Sequence, residues 1–312
     1  MNKALYHPRY WISWLGILFT RCLCLLPLST LLIFGQWLGR ISANSALLRR
    51  RRHIAEVNVR LCFPERSSEQ QQQLVTDIII STYLGMLETV YSWWASDDEL
   101  RRRTDYEGVE LIEAAKAQGQ GVLLIGSHFT TLDLAGRLLR LKVDVDSSYQ
   151  KQKNPVFDYC ILKYRLKRFT NMVEKKQMRR LIKLVKSGRA MWYATDQDFG
   201  RKNSVFVPFF GHQTATLSTI GTLLKLTKAK PLYFSHYRIG KGKDTRYLIR
   251  ITDPFEDQFN DDDVNNATVL NRVIEQAVRV APEQYLWVHR RFKTRPNKTD
   301  AKLYATKKKK NR

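Results

Sequence analysis

Acidic residues are scarce in this sequence. Of its 312 residues, 29 are Asp or Glu and 53 are Lys or Arg, which gives a formal net charge of +24. Such an imbalance predicts a negatively charged partner: nucleic acid, an anionic membrane or an acidic protein. The chain is nevertheless 44% hydrophobic and 11% aromatic. That composition excludes a disordered polycation, and the length suffices to bury a sizeable core.

Cysteine is also rare, and its four copies form no metal-binding pattern. Cys22 and Cys24 lie in an apolar stretch, while Cys62 and Cys160 are isolated. The sequence lacks CxxC pairs and the Cys/His spacings of zinc sites, and it has no Gly/Ser linker or internal repeat. We therefore expect reduced thiols in a cytoplasmic setting, no metal or other cofactor, and one main domain over residues 44–300.

One long apolar run occupies residues 11–38 and exceeds the roughly 20 residues that cross a bilayer core. Arg21 and Pro27 interrupt it, and it has no signal-peptide cleavage site, so we expect it to be retained. Basic residues are more numerous after the run than before it, which predicts a cytoplasmic body by the positive-inside rule. The prediction is a single-pass anchor over residues 1–43. The alternative is a buried or interfacial pair of helices broken at Pro27.

The rest of the chain predicts an α/β domain. Residues 44–62 form a basic amphipathic pattern, and residues 67–95 form a long helical pattern that opens with the capping box Ser67-x-x-Gln70. Beyond residue 104, short apolar runs alternate with amphipathic stretches, which is typical of a mostly parallel central sheet flanked by helices. We expect strands at 121–126, 190–195, 231–237 and 247–251, and helices at 108–117, 130–141, 155–168, 177–187, 214–228 and 263–280. Residues 301–312 should form a disordered basic tail.

A candidate catalytic pair lies in GVLLIGSHFTTLDLAG (121–136), which runs from a predicted strand through a polar turn into a helix. His128 and Asp133 follow the carboxyl end of that strand, where α/β proteins place their ligands. A histidine can accept a proton from a hydroxyl nucleophile near neutral pH, and a carboxylate on its other ring nitrogen stabilises the imidazolium. The same residues would also suit an ordinary loop histidine and a helix-capping aspartate.

This segment resembles the His-x4-Asp/Glu motif of the bacterial lipid A late acyltransferases, relatives of the glycerolipid acyltransferases. Four other stretches resemble that family between residues 7 and 296: HPRYW (7–11), NVRLCFPE (58–65), WYATDQDFG with SVFVPFFG (192–200 and 204–211), and APEQYLWVHRRFKTRP (281–296). They look most like the lauroyl-type branch, which acylates Kdo(2)-lipid IV(A).

The resemblance implies a glycerolipid-acyltransferase-like fold at the bacterial inner membrane. The donor would be an acyl carrier protein thioester and the acceptor a 3-hydroxyacyl hydroxyl of the lipid A precursor. His128 would be the general base, and Asp133 would orient it and balance its charge. This chain has Asp133 where several relatives have Glu, so its carboxylate has a shorter reach.

Basic residues elsewhere are candidates for binding the acceptor and its phosphates. Asp196 and Asp198 suggest a structural or acceptor-binding role rather than a metal site, because cations follow at once and could pair with them. For Arg165 and Arg168 the alternative is a solvated helix face. The candidates are Arg165, Arg168, Arg201, Lys202, Arg290 and Arg291.

Two further functions remain open from the sequence. One is a related acyltransferase with a palmitoleoyl or myristoyl donor or a lysoglycerophospholipid acceptor. The other is a membrane-tethered nucleic-acid-binding protein, which the charge alone suggests. The chain has no helix-turn-helix, RNA-recognition or zinc-finger signature, so we expect no nucleic-acid partner.

Overall fold

The computed structural model describes residues 3–305 and begins with a pair of helices where the long apolar run lies. Helix α1 is Trp11–Leu23 and helix α2 is Leu28–Ala43. Pro27 is the residue before α2, and proline has no N–H with which to continue a preceding helix. At about 1.5 Å per residue both helices are shorter than the roughly 30 Å bilayer core. The predicted single span over 11–38 is therefore wrong, and the alternative of a helix pair broken at Pro27 is confirmed.

Three helices follow this hairpin, and the second of them packs against it. They are α3 Arg49–Cys62, α4 Ser68–Trp94 and α5 Asp97–Arg102. The predicted capping box starts α4, with Ser67 and Gln70 exchanging side chain to backbone hydrogen bonds. Within residues 3–305, α4 is the one helix long and apolar enough to cross a membrane, and half of its apolar window is buried inside the protein. It packs against α2, α3 and α7.

A seven-stranded sheet forms the centre of the domain in the order β1-β9-β8-β2-β5-β3-β4. The five strands from β8 to β4 are parallel, whereas β9 runs antiparallel to β8 and pairs in parallel with β1. A separate antiparallel hairpin, β6–β7, packs on α11. The predicted α/β class with a mostly parallel sheet is confirmed. The strands are β1 Thr104–Glu107, β2 Val122–Gly126, β3 Val145–Tyr149, β4 Met172–Glu174, β5 Ala190–Ala194, β6 Ser204–Phe209, β7 His212–Leu217, β8 Lys230–Ile239 and β9 Arg246–Thr252.

Helices cover both faces of this sheet, and the four residues Val122 to Ile125 of β2 are fully buried between them. Such burial on both faces explains why the central strands are continuous apolar runs. The helices are α6 Glu110–Ala117, α7 Leu132–Arg140, α8 Pro155–Leu166, α9 Met178–Lys186, α10 Ile220–Thr227 and α11 Asp263–Val280. Single 3-10 turns occur at Lys3–Tyr6, Pro8–Tyr10, Ala46–Leu48, Arg201–Asn203, Gly242–Asp244 and Pro282–Gln284.

One predicted helix is partly wrong. The structure divides residues 214–228 between the end of β7 and the whole of α10. In β7, Thr214 and Thr216 oppose Val207 and Val205 of β6, and such β-branched pairs favour a strand. The short strands β1, β3 and β4 and the hairpin strand β6 carry too weak a pattern to be identified from sequence.

The carboxyl end of the described chain is packed against α3. Tyr304 is 9% exposed, and its hydroxyl lies 2.5 Å from Asn58 Oδ1 and accepts a 3.0 Å hydrogen bond from the Phe292 N–H. The boundary of the predicted disordered tail at residue 301 is therefore wrong. The terminal KKKKNR stretch lies outside the described residues.

Candidate active site

The register of two neighbouring strands brings a histidine and an aspartate together. Strands β2 and β5 are parallel, and Gly126 is opposite Ala194 where both strands end. His128 and Asp196 each follow two residues later. Since the carboxyl ends of parallel strands share one edge, both side chains enter the same crevice, the usual ligand site of an α/β sheet.

The two residues are joined by a pair of hydrogen bonds. The Nδ1 atom of His128 lies 2.7 Å from Asp196 Oδ1, and the His128 backbone N–H donates to Asp196 Oδ2 at 2.8 Å. A carboxylate accepts from an N–H, so the neutral imidazole carries its proton on Nδ1 and has its lone pair on Nε2. The His128 side chain is 23% exposed and that of Asp196 is 2% exposed. The aspartate is therefore a fixed support and the imidazole is accessible to a substrate.

Electrostatics favours the charged form of this pair. Burial by itself lowers the pKa of His128, but the charge and hydrogen bond of Asp196, with a further contribution from Asp133, raise it above its usual value. Burial likewise acts to raise the pKa of Asp196, but the charge and hydrogen bonds of His128 outweigh it and hold that pKa at about 2. Asp196 is thus ionised at neutral pH and stabilises an imidazolium at His128.

Asp133 occupies a different position from the one predicted. It lies in the first turn of α7, and its carboxylate forms an ion pair with Arg165 of α8. The carboxylate on the His128 ring is Asp196, so the predicted orienting role of Asp133 requires correction. The role of Asp196 could not be predicted because strand order cannot be read from sequence. The available signal was an imidazole or acidic side chain within two residues of the end of each of two predicted strands.

The loop that carries His128 is held in place on several sides. Ser127 hydrogen-bonds the Tyr233 hydroxyl at 2.9 Å, and the Leu286 N–H donates to the His128 carbonyl at 2.9 Å. Thr131 hydrogen-bonds the buried His236, whose pKa burial lowers to about 3, so that this histidine stays neutral. The loop is therefore preorganised by the domain core.

Helix α4 also holds this loop. Ser81 and Thr130 share a 2.9 Å side-chain hydrogen bond, and a methyl group on Gly85 would overlap the Thr130 carbonyl oxygen. Only a glycine at position 85 lets the loop backbone approach the helix this closely. Two N–H groups at the start of α7 that could otherwise serve an oxyanion are already used: Thr130 donates to Gln284 and Leu132 donates to Phe129.

A small apolar cavity of about 50 Å³ adjoins the site. Asp133 and Arg165 lie at its polar end, and its wall includes Trp192, whose ring is 6.0 Å from the His128 ring in an edge-to-face arrangement. The remaining wall residues are mainly apolar: Leu132, Gly136, Leu139, Val145, Phe169 and Phe234, with Ser147 and Ser148. The site thus combines a polar centre with an adjacent hydrophobic surface.

Four of the six candidate acceptor-binding cations lie in different surroundings. Arg165 remains at the site through Asp133, and Arg290 lines a separate cavity with its guanidinium 5.9 Å from the Tyr304 ring centre. Arg168 instead contacts Asp97 at 3.1 Å. Lys202 is solvent-exposed.

Two arginines have structural contacts that differ from the predicted role. Arg291 is 2% exposed and donates to the Ala215 carbonyl at 2.6 Å and to Thr216 and Asn271. The prediction that it contacts the acceptor is therefore wrong, because its guanidinium is already hydrogen-bonded to the β6–β7 hairpin and to α11. Arg201 donates to two backbone carbonyls, those of residues 295 and 296, rather than to the aspartates expected.

Asp198 is a turn-forming residue. Its carboxylate accepts hydrogen bonds from the Gly200 N–H at 2.9 Å and from both the N–H and the hydroxyl of Thr294. These hydrogen bonds, rather than the expected pairing of Asp196 and Asp198 with Arg201 and Lys202, attach this loop to the rest of the chain. Over residues 3–305, no cluster of three or more His, Cys, Asp or Glu side chains is arranged to hold a metal ion.

A histidine whose Nδ1 is held by a buried carboxylate lies at the edge of a parallel sheet and beside an apolar cavity. This arrangement suits an α/β enzyme that activates a hydroxyl next to an apolar donor. Residues 1–294 match the family described as bacterial lipid A biosynthesis acyltransferase. The chain belongs to this family and is an acyltransferase of lipid A biosynthesis.

Three relatives from Escherichia coli (strain K12) match along nearly the whole chain. A lipid A biosynthesis lauroyltransferase is 36% identical over 296 residues, which cover 95% of both chains. A lipid A biosynthesis palmitoleoyltransferase is 33% identical over the same length and coverage. A lipid A biosynthesis myristoyltransferase is 31% identical over 303 residues, or 94% of this chain and 90% of the relative.

Proposed function

We propose that the chain transfers a lauroyl group from an acyl carrier protein thioester to a 3-hydroxyacyl hydroxyl of Kdo(2)-lipid IV(A). The accessible His128 Nε2, with Nδ1 held by Asp196, is the observation that supports base-catalysed acyl transfer most directly. The higher identity to a lauroyltransferase than to the palmitoleoyl- and myristoyltransferases supports the donor.

The reaction needs one proton carrier. His128 Nε2 takes the proton of the acceptor hydroxyl while its oxygen attacks the thioester carbonyl and forms the new C–O bond. The tetrahedral intermediate then expels the carrier thiolate by breaking the C–S bond, and the imidazolium returns its proton to that sulfur. The ester and the free thiol are the products, so His128 ends as it began.

Asp196 and Asp133 have separate roles in this proposal. Asp196 fixes the tautomer and orientation of His128 and stabilises its protonated form. Asp133 adds negative charge near the imidazolium and is oriented by Arg165. Arg165 lies at the polar mouth of the apolar cavity, where it can also contact an anionic group of a substrate.

The donor thioester would approach from the cavity side. Its first methylene groups would contact the apolar wall around Leu139 and Phe234, close to Trp192 and hence to His128. The acyl carrier protein, which we take to be strongly acidic, would meet the basic surface that the net charge of +24 provides.

The helix hairpin is the proposed attachment to the inner membrane, with residues 1–43 as anchor and 44–300 as a cytoplasmic acyltransferase domain. Helices α1 and α2 leave an extensive set of large apolar side chains exposed, and lipid is the medium in which such a surface is stable. Because neither helix is long enough to span the bilayer, we propose that the hairpin enters one leaflet. The exposed side chains are Trp11, Ile12, Leu15, Leu18, Phe19, Leu25, Leu26, Ile33, Trp37 and Ile41.

The test is an acyl-transfer assay with a panel of acyl carrier protein thioesters. The purified chain is incubated with membranes that contain Kdo(2)-lipid IV(A), and mass spectrometry reads the mass added and the position acylated. We expect lauroyl addition to dominate, and its loss in His128→Ala with the circular dichroism spectrum unchanged. His53→Ala, which removes a histidine outside the site, is the matched control. Preferential addition of palmitoleate or myristate would refute the proposed donor, and full activity of His128→Ala would refute the proposed base.

A further inference from the structure

A second, strongly basic cavity lies beside the active-site loop. Its volume is about 300 Å³, and its wall carries the cations Arg50, Arg51, Arg290 and Lys293 with one carboxylate, that of Asp198. The carboxylate is engaged by Gly200 and Thr294, as described above. The cavity is therefore a concentrated positive site with its one acidic group already used.

The two sides of this cavity come from distant parts of the sequence and are fixed to one another. Arg50 and Arg51 lie in the first turn of α3, and the facing segment contains residues 287–293. Buried Asn58 of α3 donates to the carbonyls of Trp287 at 2.7 Å and His289 at 2.8 Å. Arg51 itself donates to the Val288 carbonyl at 3.2 Å. The cations are thus presented by a rigid frame.

The charges at the start of α3 oppose the stability of the helix. Four arginines, Arg49 to Arg52, occupy the helix end where the dipole favours anions, and α3 has no side-chain cap. Within the described chain, Arg52 pairs with a carboxylate, that of Glu56 at 3.4 Å. An anion bound between Arg50 and Arg51 would relieve this repulsion and would complement the helix dipole.

The cavity adjoins the catalytic pair. Asp198 lies two residues after Asp196, and the neighbouring His289 accepts a 3.5 Å contact from the Asp198 N–H. Burial lowers the pKa of His289, so this wall residue is neutral at pH 7 and the cavity charge comes from the four permanent cations. A group bound here would contact the loop that also carries Asp196.

We propose that this basic cavity binds a phosphoryl group of the lipid acceptor and so positions its hydroxyl at His128. The proposal rests on the proposed function. Arginine forks bind phosphoryl groups bidentately, and the acceptor in the proposed function is phosphorylated. The acceptor is favoured over the phosphopantetheine of the donor because Arg50 and Arg51 follow directly after the lipid-facing hairpin, which ends at Ala43.

The experiment measures acceptor and donor kinetics separately in neutral-detergent micelles. Two double variants remove the cations of one wall each: Arg50→Gln with Arg51→Gln, and Arg290→Gln with Lys293→Gln. The control removes two exposed charges of α9, Lys183→Gln with Lys186→Gln. We expect the KM for the acceptor to rise roughly tenfold in each wall variant, the size of losing exposed charge-assisted contacts. The kcat, the donor KM and the control should stay within about twofold of wild type.

A dephosphorylated acceptor completes the cycle. Wild type should show a raised KM for it, and the wall variants should add less than a further twofold. The proposal would be overturned if the wall variants raised the acceptor KM by the same factor with and without the phosphoryl group. An increase in the donor KM would also overturn it, as would a defect that appears only when anionic vesicles replace the neutral micelles.

A binding measurement without turnover separates the two hypotheses. Detergent-solubilised acceptor should bind His128→Ala as tightly as wild type, and about tenfold more weakly when either wall is neutralised in that background. Wild type that transfers no acyl group would refute the proposed function, whereas active wild type with unaffected wall variants would refute the phosphoryl site alone.

Discussion

The imidazole of His128 is supported by a carboxylate with almost no solvent exposure. A buried Asp196 cannot be replaced by water as a hydrogen-bond acceptor, so its two contacts to His128 fix both the ring and the loop backbone. The same carboxylate raises the pKa of the imidazole. Asp196 therefore contributes both to the orientation of the His128 ring and to its raised pKa.

Replacing Asp196→Asn should move the acidic limb of the kcat/KM profile to lower pH. In wild type the raised pKa of His128 means that protonation removes the base at a pH above the usual 6.5. Without the aspartate charge this pKa falls, so the limb shifts down. The plateau should also fall by roughly two orders of magnitude, because the imidazolium is no longer stabilised. The measurement is kcat/KM between pH 5 and 9.

Asp133→Asn is the comparison for this change, since its charge is a smaller contribution to the pKa of the same imidazole. Its limb should shift by less than that of Asp196→Asn. An unmoved limb in Asp196→Asn would mean that the titrating group is not His128.

Among the elements, α4 connects the active-site loop to the body of the domain. Its Gly85 allows the Thr130 backbone to approach, and its Glu88 is fully buried against the sheet. Arg238 of β8 contacts that carboxylate at 2.5 and 2.6 Å, and the Tyr247 hydroxyl donates to it at 2.8 Å. These contacts hold α4 in the domain core, although its length and apolar composition would also suit a membrane-spanning helix.

Gly85→Ala should reduce kcat by roughly ten- to a hundredfold, because the added methyl displaces the loop that holds the base. Helix propensity alone predicts no such loss of kcat, and it predicts a gain of about 1 kcal/mol in the free energy of unfolding. Gly16→Ala in α1 is the matched control, since a methyl there has no neighbour within 4 Å. Steady-state kinetics and thermal unfolding of both variants test this, and unchanged turnover in Gly85→Ala would contradict the close approach.

The hairpin of α1 and α2 is the element that we expect to determine membrane binding. Ile12→Glu combined with Leu15→Glu places charges on side chains that are 84% and 64% exposed. Because moving a carboxylate into lipid is unfavourable, partitioning of this variant onto vesicles should fall by roughly a hundredfold or more.

Leu226→Glu with Val280→Glu makes the same chemical change on exposed side chains outside the hairpin. Vesicle co-sedimentation of this control should match wild type. Equal losses in both double variants would assign membrane binding to a diffuse property of the surface rather than to the hairpin.

At the scale of the whole molecule, the end of the described chain closes onto α3. The Tyr304 hydroxyl links Asn58 to the Phe292 N–H, and Asn58 in turn holds the carbonyls of Trp287 and His289. The proposed basic cavity is built on this connection.

Tyr304→Phe should lower the free energy of unfolding by about 1–3 kcal/mol, because two buried polar groups lose their partner. It should also raise the acceptor KM, since the 287–293 wall loses a support. Urea unfolding in detergent, together with kinetics, measures both effects. Tyr149→Phe on the partly exposed end of β3 is the control, and equal stability of the two variants would contradict the role of this hydroxyl.

Elements with local signals were predictable from the order of the residues alone. The Ser67 capping box fixed the start of α4, Asn154 caps α8 as its Asn-Pro pair predicts, and the apolar runs of β2, β5 and β8 identified the central strands. His128 was a candidate from its place after a buried strand, and the resemblance of the surrounding motif to the acyltransferase family gave it the role of general base.

Which side chains meet depends instead on how distant segments of the chain pack together. Asp196 rather than Asp133 supports His128 because β5 is the neighbour of β2, and strand order depends on hydrogen bonds between residues far apart in the chain. Arg290 lines an open cavity while adjacent Arg291 is buried beneath the β6–β7 hairpin. Two arginines with the same chemistry thus have different surroundings, because the packing around each, which no local pattern encodes, exposes one and encloses the other.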